Sequence, residues 1–417
     1  MSEAVHKGAK GALLKAALLF SSVDGMVASA LMVPLLGSIA AEYPDAAPGL
    51  LNQTLSLPSL LMIPAIIITG YLSKYISKKY LLMLGSIIFV VSGFGSMYSP
   101  SLEALVAFRA CEGIGMGIVY PLAPAIIAHL FYGEERAKLI GWTNACGGIF
   151  SFVLGIGAGY AALTDWRHAF YYYLIFIIVV VMQGILLPAF PPEKKDETII
   201  QAATSGEKPK LGYAVYLTIG AMLIFMSVAM VIIYNLAIFI MSEGIGTSAD
   251  AGMASSINTV ASFFISLGFG YIFRFLKRYI SVLGLFFMAC SYFILSSAHT
   301  MSLVYAGTIC LGASMGCIFP YLMTRVAQVA PKAVKTMAVT WLSMSIYLGQ
   351  WLSGYFAVWM ANMVGGTTRQ LFSAVGMIFL VFAVLAAVFI AVTQKYESKV
   401  VVIEQKIELD DVAYKVP

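Results

Sequence analysis

The sequence predicts an all-α membrane protein in which twelve transmembrane helices form two pseudo-symmetric six-helix bundles. Of its 417 residues, 60% are hydrophobic and 11% are charged, whereas soluble domains have about 45–50% apolar and about 25% charged residues. Apolar stretches of about 18 or more residues, long enough to cross a bilayer, recur along nearly the whole chain. Two sequence patterns also occur once in each half. These observations leave no room for a soluble catalytic domain.

Short polar connections separate the predicted spans. Their approximate ranges are residues 13–37, 48–71, 80–99, 102–130, 139–163, 169–190, 213–240, 250–273, 279–298, 301–327, 337–362 and 371–393. Basic residues concentrate in alternate connections, for example at Lys74, Lys78 and Lys79, while Arg167 and Arg369 lie in connections on the opposite side. Because basic residues favour the cytoplasmic side of a membrane, we expect both termini to be cytoplasmic.

The longest polar interruption, Pro191 to Lys210, lies near the middle of the chain and is rich in charged residues, Ser, Thr and Pro. Such a composition is typical of a flexible linker. The predicted organisation is an N-terminal six-helix bundle over residues 1–190, a cytoplasmic linker over 191–212, a C-terminal six-helix bundle over 213–393 and a cytoplasmic tail over 394–417.

Two internal repeats relate the halves at an offset of about 199 residues. One follows spans two and eight and begins with Gly-Tyr; the other is a glycine pair with an aromatic-proline step in spans four and ten. Glycine pairs at this spacing allow another helix to approach closely, and parallel repeats place a substrate site between the bundles. The candidate conformational or gating residues are Gly70, Lys74, Lys78, Gly113, Gly117, Gly270, Arg274, Gly312 and Gly316.

Three ionisable residues lie inside predicted spans. Arg109 and Glu112 are three residues apart in span four and can pair on one helix face, which offsets part of the roughly 2.5–3.5 kcal/mol that each intramembrane charge costs. Asp24 in span one has no obvious local partner, which favours a role as proton carrier; the alternative is a carboxylate hydrogen-bonded to Ser21 or Ser22. The pair could likewise serve helix packing alone.

The equivalent positions in the second half carry no charge. At the offset of 199 they are Thr308, Leu311 and Leu223. The ionisable chemistry is therefore predicted in the N-terminal bundle, and apolar, aromatic and amide surface in the C-terminal bundle.

These residues resemble the major facilitator superfamily, and the likeness covers essentially all twelve spans. The segment Arg109-x-x-Glu112-Gly113-x-Gly115 is similar to the RxxQG motif of the drug:proton antiporters, with Glu in place of Gln, and Asp24 followed by Pro34 is similar to their first span. The loop after span two departs from the family signature because Lys74 stands at its acidic position. The resemblance implies the major facilitator fold and a multi-pass location in a bacterial inner membrane.

The leading hypothesis is a secondary transporter whose bundles rock around a central site and export hydrophobic or amphiphilic small molecules in exchange for protons. Losing water raises the proton affinity of a carboxylate and a nearby cation lowers it, so motion of Asp24 or Glu112 relative to Arg109 would load and release a proton. The candidate substrate-binding residues are Arg109, Tyr120, Tyr234, Asn235, Asn258, Phe319 and Gln350.

Two other hypotheses remain open. Arg109 could clamp the carboxylate of a small organic anion during uptake or exchange, because a guanidinium suits that task. The bundle could also be a receptor or sensor that transports nothing, although the chain offers no large appended domain for such a role.

Several function classes find no support in the sequence. There is no GxxxxGK[ST] nucleotide-binding loop, which argues for a gradient rather than ATP as the driving force. The four His and five Cys residues lack metal-site or catalytic spacing, so we expect neither an enzyme nor a cofactor. The net charge of +5 sits in short loops and indicates no nucleic-acid partner. The expected partners are a small-molecule substrate, protons and the lipid bilayer, with the protein a monomer.

Overall fold

The computed structural model describes the backbone of residues 9–21, 23–189, 212–331 and 335–413, and within these ranges every regular element is a helix. This follows from the composition, because backbone N–H and C=O groups inside a bilayer must be satisfied within the chain. The predicted linker lies outside the described residues except for Gly212.

Span one of the N-terminal bundle is interrupted twice. It consists of the helices Ala9–Ser21, Asp24–Met32 and Leu36–Glu42, with a 3-10 turn at Val33–Leu35. The other spans are continuous, although short 3-10 segments lead into span six and out of span three. Spans two to six are Pro48–Leu72, Lys78–Gly95, Leu102–Leu130, Gly133–Ala161 and Ile175–Leu186, with 3-10 segments at Ser96–Tyr98 and Trp166–Leu174.

The C-terminal bundle repeats this order. Spans seven to twelve are Tyr213–Ser242, Ser248–Leu276, Ile280–Ser296, Met301–Val329, Lys335–Met363 and Thr368–Ala413. Ten described segments are long and apolar enough to cross a membrane, and one of them, Ser248–Ser296, contains both span eight and span nine. With the further long helix Lys335–Met363, the described helices fit the predicted twelve spans, and the predicted fold class is confirmed.

Local sequence explains where span seven ends and where span eight begins. The Thr247 side chain accepts the backbone N–H of Asp250 at 3.4 Å, and Asp250 Oδ2 accepts the backbone N–H of Thr247 at 2.8 Å. This reciprocal pair satisfies N–H groups that a helix start leaves free. Gly244 (φ +65°) supplies the left-handed residue that turns the chain out of span seven.

The glycine pairs of the internal repeat bring the same two helices together in each bundle. In span four, a Cβ on Gly113 would meet the backbone of Pro58, and one on Gly117 would meet the carbonyl oxygen of Met62 at 2.8 Å. In span ten, a Cβ on Gly312 would meet the backbone of Asn258, and one on Gly316 would meet the Ser262 carbonyl oxygen at 2.8 Å. The close helix approach predicted from these patterns is confirmed, with span two as partner in one bundle and span eight in the other.

Spans five and eight join the two bundles on one side of the protein. Ser248 Oγ donates to the carbonyl of Gly159 at 3.0 Å, and Ser256 Oγ donates to the carbonyl of Phe152 at 3.0 Å. The side that holds these contacts and the loops 43–47, 162–165 and 243–247 is called the closed side below.

Toward the opposite side, the same face of span five loses contact with span eight. Gly141, Gly148, Gly155 and Gly159 follow at intervals of seven, seven and four residues, which places them on one helix face. A Cβ on Gly155 would meet Ser256 Oγ at 3.0 Å, whereas one on Gly141 or Gly148 would meet nothing within 4 Å. The interface therefore opens as a wedge toward the side with loops 73–77 and 131–132, called the open side.

Spans two and eleven form the matching contact on the other flank. Ser59 Oγ donates to Gln350 Oε1 at 2.8 Å, and Gln53 Nε2 donates to the Tyr355 hydroxyl at 3.2 Å. The two bundles thus meet along two helix pairs related by the internal repeat.

We expect Gly113→Ala to destabilise the protein by about 1–3 kcal/mol, because the added methyl would overlap the rigid backbone at Pro58. Gly220→Ala is the matched control, since a Cβ there meets nothing within 4 Å. Thermal unfolding of the purified protein in detergent should show a lower midpoint for Gly113→Ala alone; equal midpoints for the two variants would contradict the packing argument.

Candidate functional site

Arg109 is held by a backbone carbonyl that a proline leaves free. Pro58 in span two has no N–H, so it cannot bond to the carbonyl of Thr54, four residues earlier in the helix. The Nε of Arg109 donates to that carbonyl at 2.9 Å. The arginine side chain is only 1% exposed. The proline of a neighbouring helix thus provides an acceptor for a guanidinium buried in the bundle.

Glu112 and Tyr173 complete the environment of Arg109. Nη1 of Arg109 forms an ion pair with Glu112 Oε2, as the sequence predicts. The Tyr173 hydroxyl donates to Glu112 Oε1 at 2.7 Å and accepts from Arg109 Nη1 at 3.1 Å. All three side chains are buried. Spans two, four and six therefore share one closed network in which both ions have hydrogen-bonded partners.

Asp24 is buried beside this network without sharing its hydrogen bonds. It begins the helix Asp24–Met32 and is 2% exposed. Neither carboxylate oxygen meets a donor from another described residue, and Glu112 is near enough to interact with it electrostatically. Ser21 Oγ donates instead to the carbonyl of Ala17 at 2.6 Å, and Ser22 lies outside the described residues. An ionised carboxylate here has no described donor to compensate for lost water.

Gln183 of span six holds the interruption of span one in place. Its Nε2 donates to Ser21 Oγ at 2.8 Å and to Ser86 Oγ at 2.9 Å. The side chain is fully buried. Sequence reasoning missed both Gln183 and Tyr173, although an amide in the middle of an apolar span is a signal for a buried partner.

The C-terminal candidates divide into buried and accessible groups. Tyr234 is buried, and its hydroxyl donates to the carbonyl of Gln350 at 2.9 Å. Asn235 Nδ2 donates to the carbonyl of Val231 on its own helix at 2.8 Å. Asn258 Oδ1 is buried and meets no described donor. The Tyr234 contact joins spans seven and eleven, the Asn235 contact stays within span seven, and the side-chain oxygen of Asn258 is left without a described donor.

Among the predicted substrate-binding residues, the two aromatic residues of the internal repeat are accessible. Tyr120 is 47% exposed and Phe319 39% exposed, each directly before a proline of its span. The ring of Tyr120 packs edge-on against Tyr347 of the other bundle, with centroids 5.6 Å apart. Pro320 frees the Gly316 carbonyl, which accepts from Ser266 Oγ at 3.4 Å.

The candidate gating residues near the ends of spans two and eight and the start of span three lie on the open side. Gly70, Lys74, Gly270 and Arg274 are exposed, whereas Lys78 is partly buried. A Cβ on Gly70 or Gly270 would meet nothing within 4 Å. Within the described ranges, no group of three or more His, Cys, Asp or Glu side chains is placed to hold a metal ion.

Comparison with known sequences gives one family. The sequence model of the Major Facilitator Superfamily matches residues 17–334 and, in a second alignment, residues 217–408. The chain is 31% identical over 159 residues to the multidrug transporter protein MdtP of Bacillus subtilis, covering 37% of this chain and 28% of that protein. It is 35% identical over 106 residues to multidrug resistance protein 3 of Bacillus subtilis, covering 25% and 20%. It is 38% identical over 71 residues to the arabinose-proton symporter of Escherichia coli, covering 17% and 15%.

Solved structures share the whole fold at low sequence identity. A D-xylose-proton symporter superposes with a TM-score of 0.72 at 16% identity, covering 89% of this chain and 96% of that one. The peptide transporter POT in complex with sulfate gives a TM-score of 0.73 at 13% identity, covering 93% and 96%. At these identities the likeness concerns the fold.

We expect Glu112→Leu to destabilise the protein by about 3–5 kcal/mol, because it leaves the Arg109 charge buried without its counter-ion. The double change Arg109→Thr with Glu112→Leu installs the residues of the second half and removes both charges, so it should cost less than Glu112→Leu alone. Melting temperatures measured in detergent rank the stabilities of the variants. A double variant less stable than Glu112→Leu would rule out an isolated buried charge as the cause of the destabilisation.

Proposed function

Because the chain belongs to the major facilitator superfamily and is a membrane transporter, we propose that it exports hydrophobic or amphiphilic small molecules in exchange for protons. The observation that carries this proposal is Asp24, a buried carboxylate without a described donor, placed next to an ion pair whose partners satisfy each other. The family is one of transporters and not of enzymes.

Asp24 is the proposed proton carrier. Glu112 is fixed by Arg109 and Tyr173, so its charge is compensated in the resting network. Asp24 begins a helix that follows a break in span one, and such a break lets one half of the span move while the other stays packed. Motion that hydrates Asp24 would favour loss of its proton, and renewed burial would favour uptake.

Alternating access is the proposed transport cycle. The wedge between spans five and eight widens toward the open side, which the predicted orientation makes cytoplasmic. In the opposite state, the free glycines of span five, Gly141 and Gly148, would pack against span eight, while Gly155 and Gly159 would separate from it. Small residues along one face of span five suit this change of contact, because they let span eight approach closely at either end of that face.

The proposed substrate class rests on the lining and on the relatives. Tyr120 and Tyr347 bring aromatic rings together across the interface between the bundles, and aromatic faces bind both apolar groups and cations. Two matched relatives are named as multidrug proteins. For the anion hypothesis no observation adds support, because Arg109 is buried and already donates to Thr54, Glu112 and Tyr173.

Binding of a lipophilic cation such as tetraphenylphosphonium should release about one proton per molecule, and Asp24→Asn should abolish the release. The measurement uses a pH-indicator dye with purified protein in weakly buffered detergent. Asp45→Asn, at an exposed loop carboxylate, is the matched control and should behave as wild type.

Three results would count against this assignment. Release that survives in Asp24→Asn but disappears in Glu112→Gln would make Glu112 the carrier. The proton-coupled export proposal itself would fail if cations bound without any release. Binding of an organic acid without release, lost in Arg109→Lys, would favour the anion hypothesis instead.

Gly148→Leu should reduce transport more than tenfold while leaving cation binding from the open side intact, because the leucine keeps spans five and eight apart there. Gly268→Leu is the control: its added Cβ also meets nothing within 4 Å, but it lies about 160° around span eight from Gly252, which faces span five. Cation uptake into proteoliposomes under a proton gradient tests both variants. Wild-type transport by Gly148→Leu would overturn the proposed closure.

A further inference from the structure

A cavity lies between the two bundles on the closed side. It has a volume of about 290 Å³, and its walls come from spans one and two of the N-terminal bundle and from spans seven, eleven and twelve of the C-terminal bundle. Tyr43 and Pro44, in a loop of the closed side, are part of the lining. Its described lining shares no residue with the network of Arg109, but it includes Asn235, one of the predicted substrate contacts.

Three asparagines from three different spans face this cavity. They are Asn52 of span two, Asn235 of span seven and Asn362 of span eleven. Asn52 is only 4% exposed, and its carboxamide forms no hydrogen bond with a described residue. A carboxamide has two N–H donors and a carbonyl acceptor, and burying them without partners costs free energy. Asn52 therefore presents unsatisfied donors and an unsatisfied acceptor to the cavity.

The other flank of the closed side is sealed without such an amide. Where the glycine pairs pack, spans two and eight correspond at an offset of 200 residues, as Pro58 does to Asn258. The counterpart of Asn52 is then Gly252, at which a Cβ would meet the Cα of Gly159 at 3.2 Å. One copy of the repeat packs helix backbones together at this position, and the other places an asparagine beside a cavity. The fold alone therefore does not require the amide of Asn52.

The lining favours an uncharged ligand that both donates and accepts hydrogen bonds. The described residues around the cavity include no Asp, Glu, Lys, Arg or His, so a charged ligand would lose its hydration there without a counter-ion. A primary carboxamide carries N–H donors and a carbonyl acceptor in one plane, which complements the side chain of Asn52. Leu51, Ile238 and Leu371 supply apolar walls for the rest of the molecule.

We propose that this cavity binds one small, uncharged molecule that carries a primary carboxamide. Asn52 pairs with the carboxamide of the ligand, and Asn235 and Asn362 provide further polar contacts from the other bundle. The site is separate from Asp24 and the ion pair, so binding here does not require the proposed exchange of protons for substrate.

Isothermal titration calorimetry of the detergent-purified, full-length protein tests the proposal, with benzamide as the probe. Wild type should bind one benzamide per protein, at least tenfold more tightly than benzoate, which has a similar shape but a negative charge. Asn52→Leu keeps the size of the side chain but removes the amide, and it should weaken benzamide binding by about tenfold. Thr164→Leu, at an exposed closed-side residue outside the cavity, is the matched control and should bind benzamide as wild type does.

Ala361→Trp is a second variant, and it removes no polar group. Ala361 lines the cavity from span eleven, so the indole should fill the space and abolish benzamide binding. A wild-type melting temperature for each variant shows that loss of binding is not loss of fold.

Four results would overturn the proposal. They are no benzamide binding by wild type, unchanged binding in both cavity variants, equal loss in Thr164→Leu, and benzoate binding as tight as that of benzamide. Erythritol that binds wild type more tightly than benzamide, and is lost in the same variants, would identify a polyol site and overturn the carboxamide assignment.

Discussion

The buried ion pair between Arg109 and Glu112 is the constraint on which the N-terminal bundle depends. Two charges inside a bilayer persist only where geometry and hydrogen bonds compensate for their lost hydration. The structure supplies that compensation from two other helices, through the Thr54 carbonyl that Pro58 leaves free and through the Tyr173 hydroxyl. Spans two, four and six are thereby fixed relative to one another, whereas the Asp24 carboxylate of span one takes no part in this network.

Local patterns predicted the fold and the pair because each is encoded within one helix. The apolar periods define the spans, the three-residue spacing pairs Arg109 with Glu112, and the repeated glycines mark close contacts. The partners from other helices could not be predicted in this way. Tyr173 stands in a run of three tyrosines, and which of them reaches span four depends on the register between helices, which no local pattern specifies.

The ends of the helices show the same limit. Arg167 and Arg369 are predicted only as the sparse basic residues of one side. In the structure Arg167 pairs with Glu42 at 2.7 Å, and Arg369 pairs with Glu243 at 2.9 Å. Each pair joins the last span of a bundle to its first, so the repeat extends to contacts that its sequence motifs do not mark.

Hydrogen bonding favours Asp24 over Glu112 as the proposed site of exchange, because Glu112 is held by Arg109 and Tyr173 whereas neither carboxylate oxygen of Asp24 meets a described donor. With all three groups ionised, Arg109, Glu112 and Asp24 sum to one negative charge in a site shielded from water. A proton on Asp24 makes the set neutral, which is the state that costs least to bury. A cationic substrate near Asp24 neutralises the same charge. The proton and the cation would therefore be alternative ways to neutralise the site, even if they bind at different positions. We infer that coupling needs no direct contact between the substrate and Asp24. It requires only that the proton and the cationic substrate are not both absent when the bundles close.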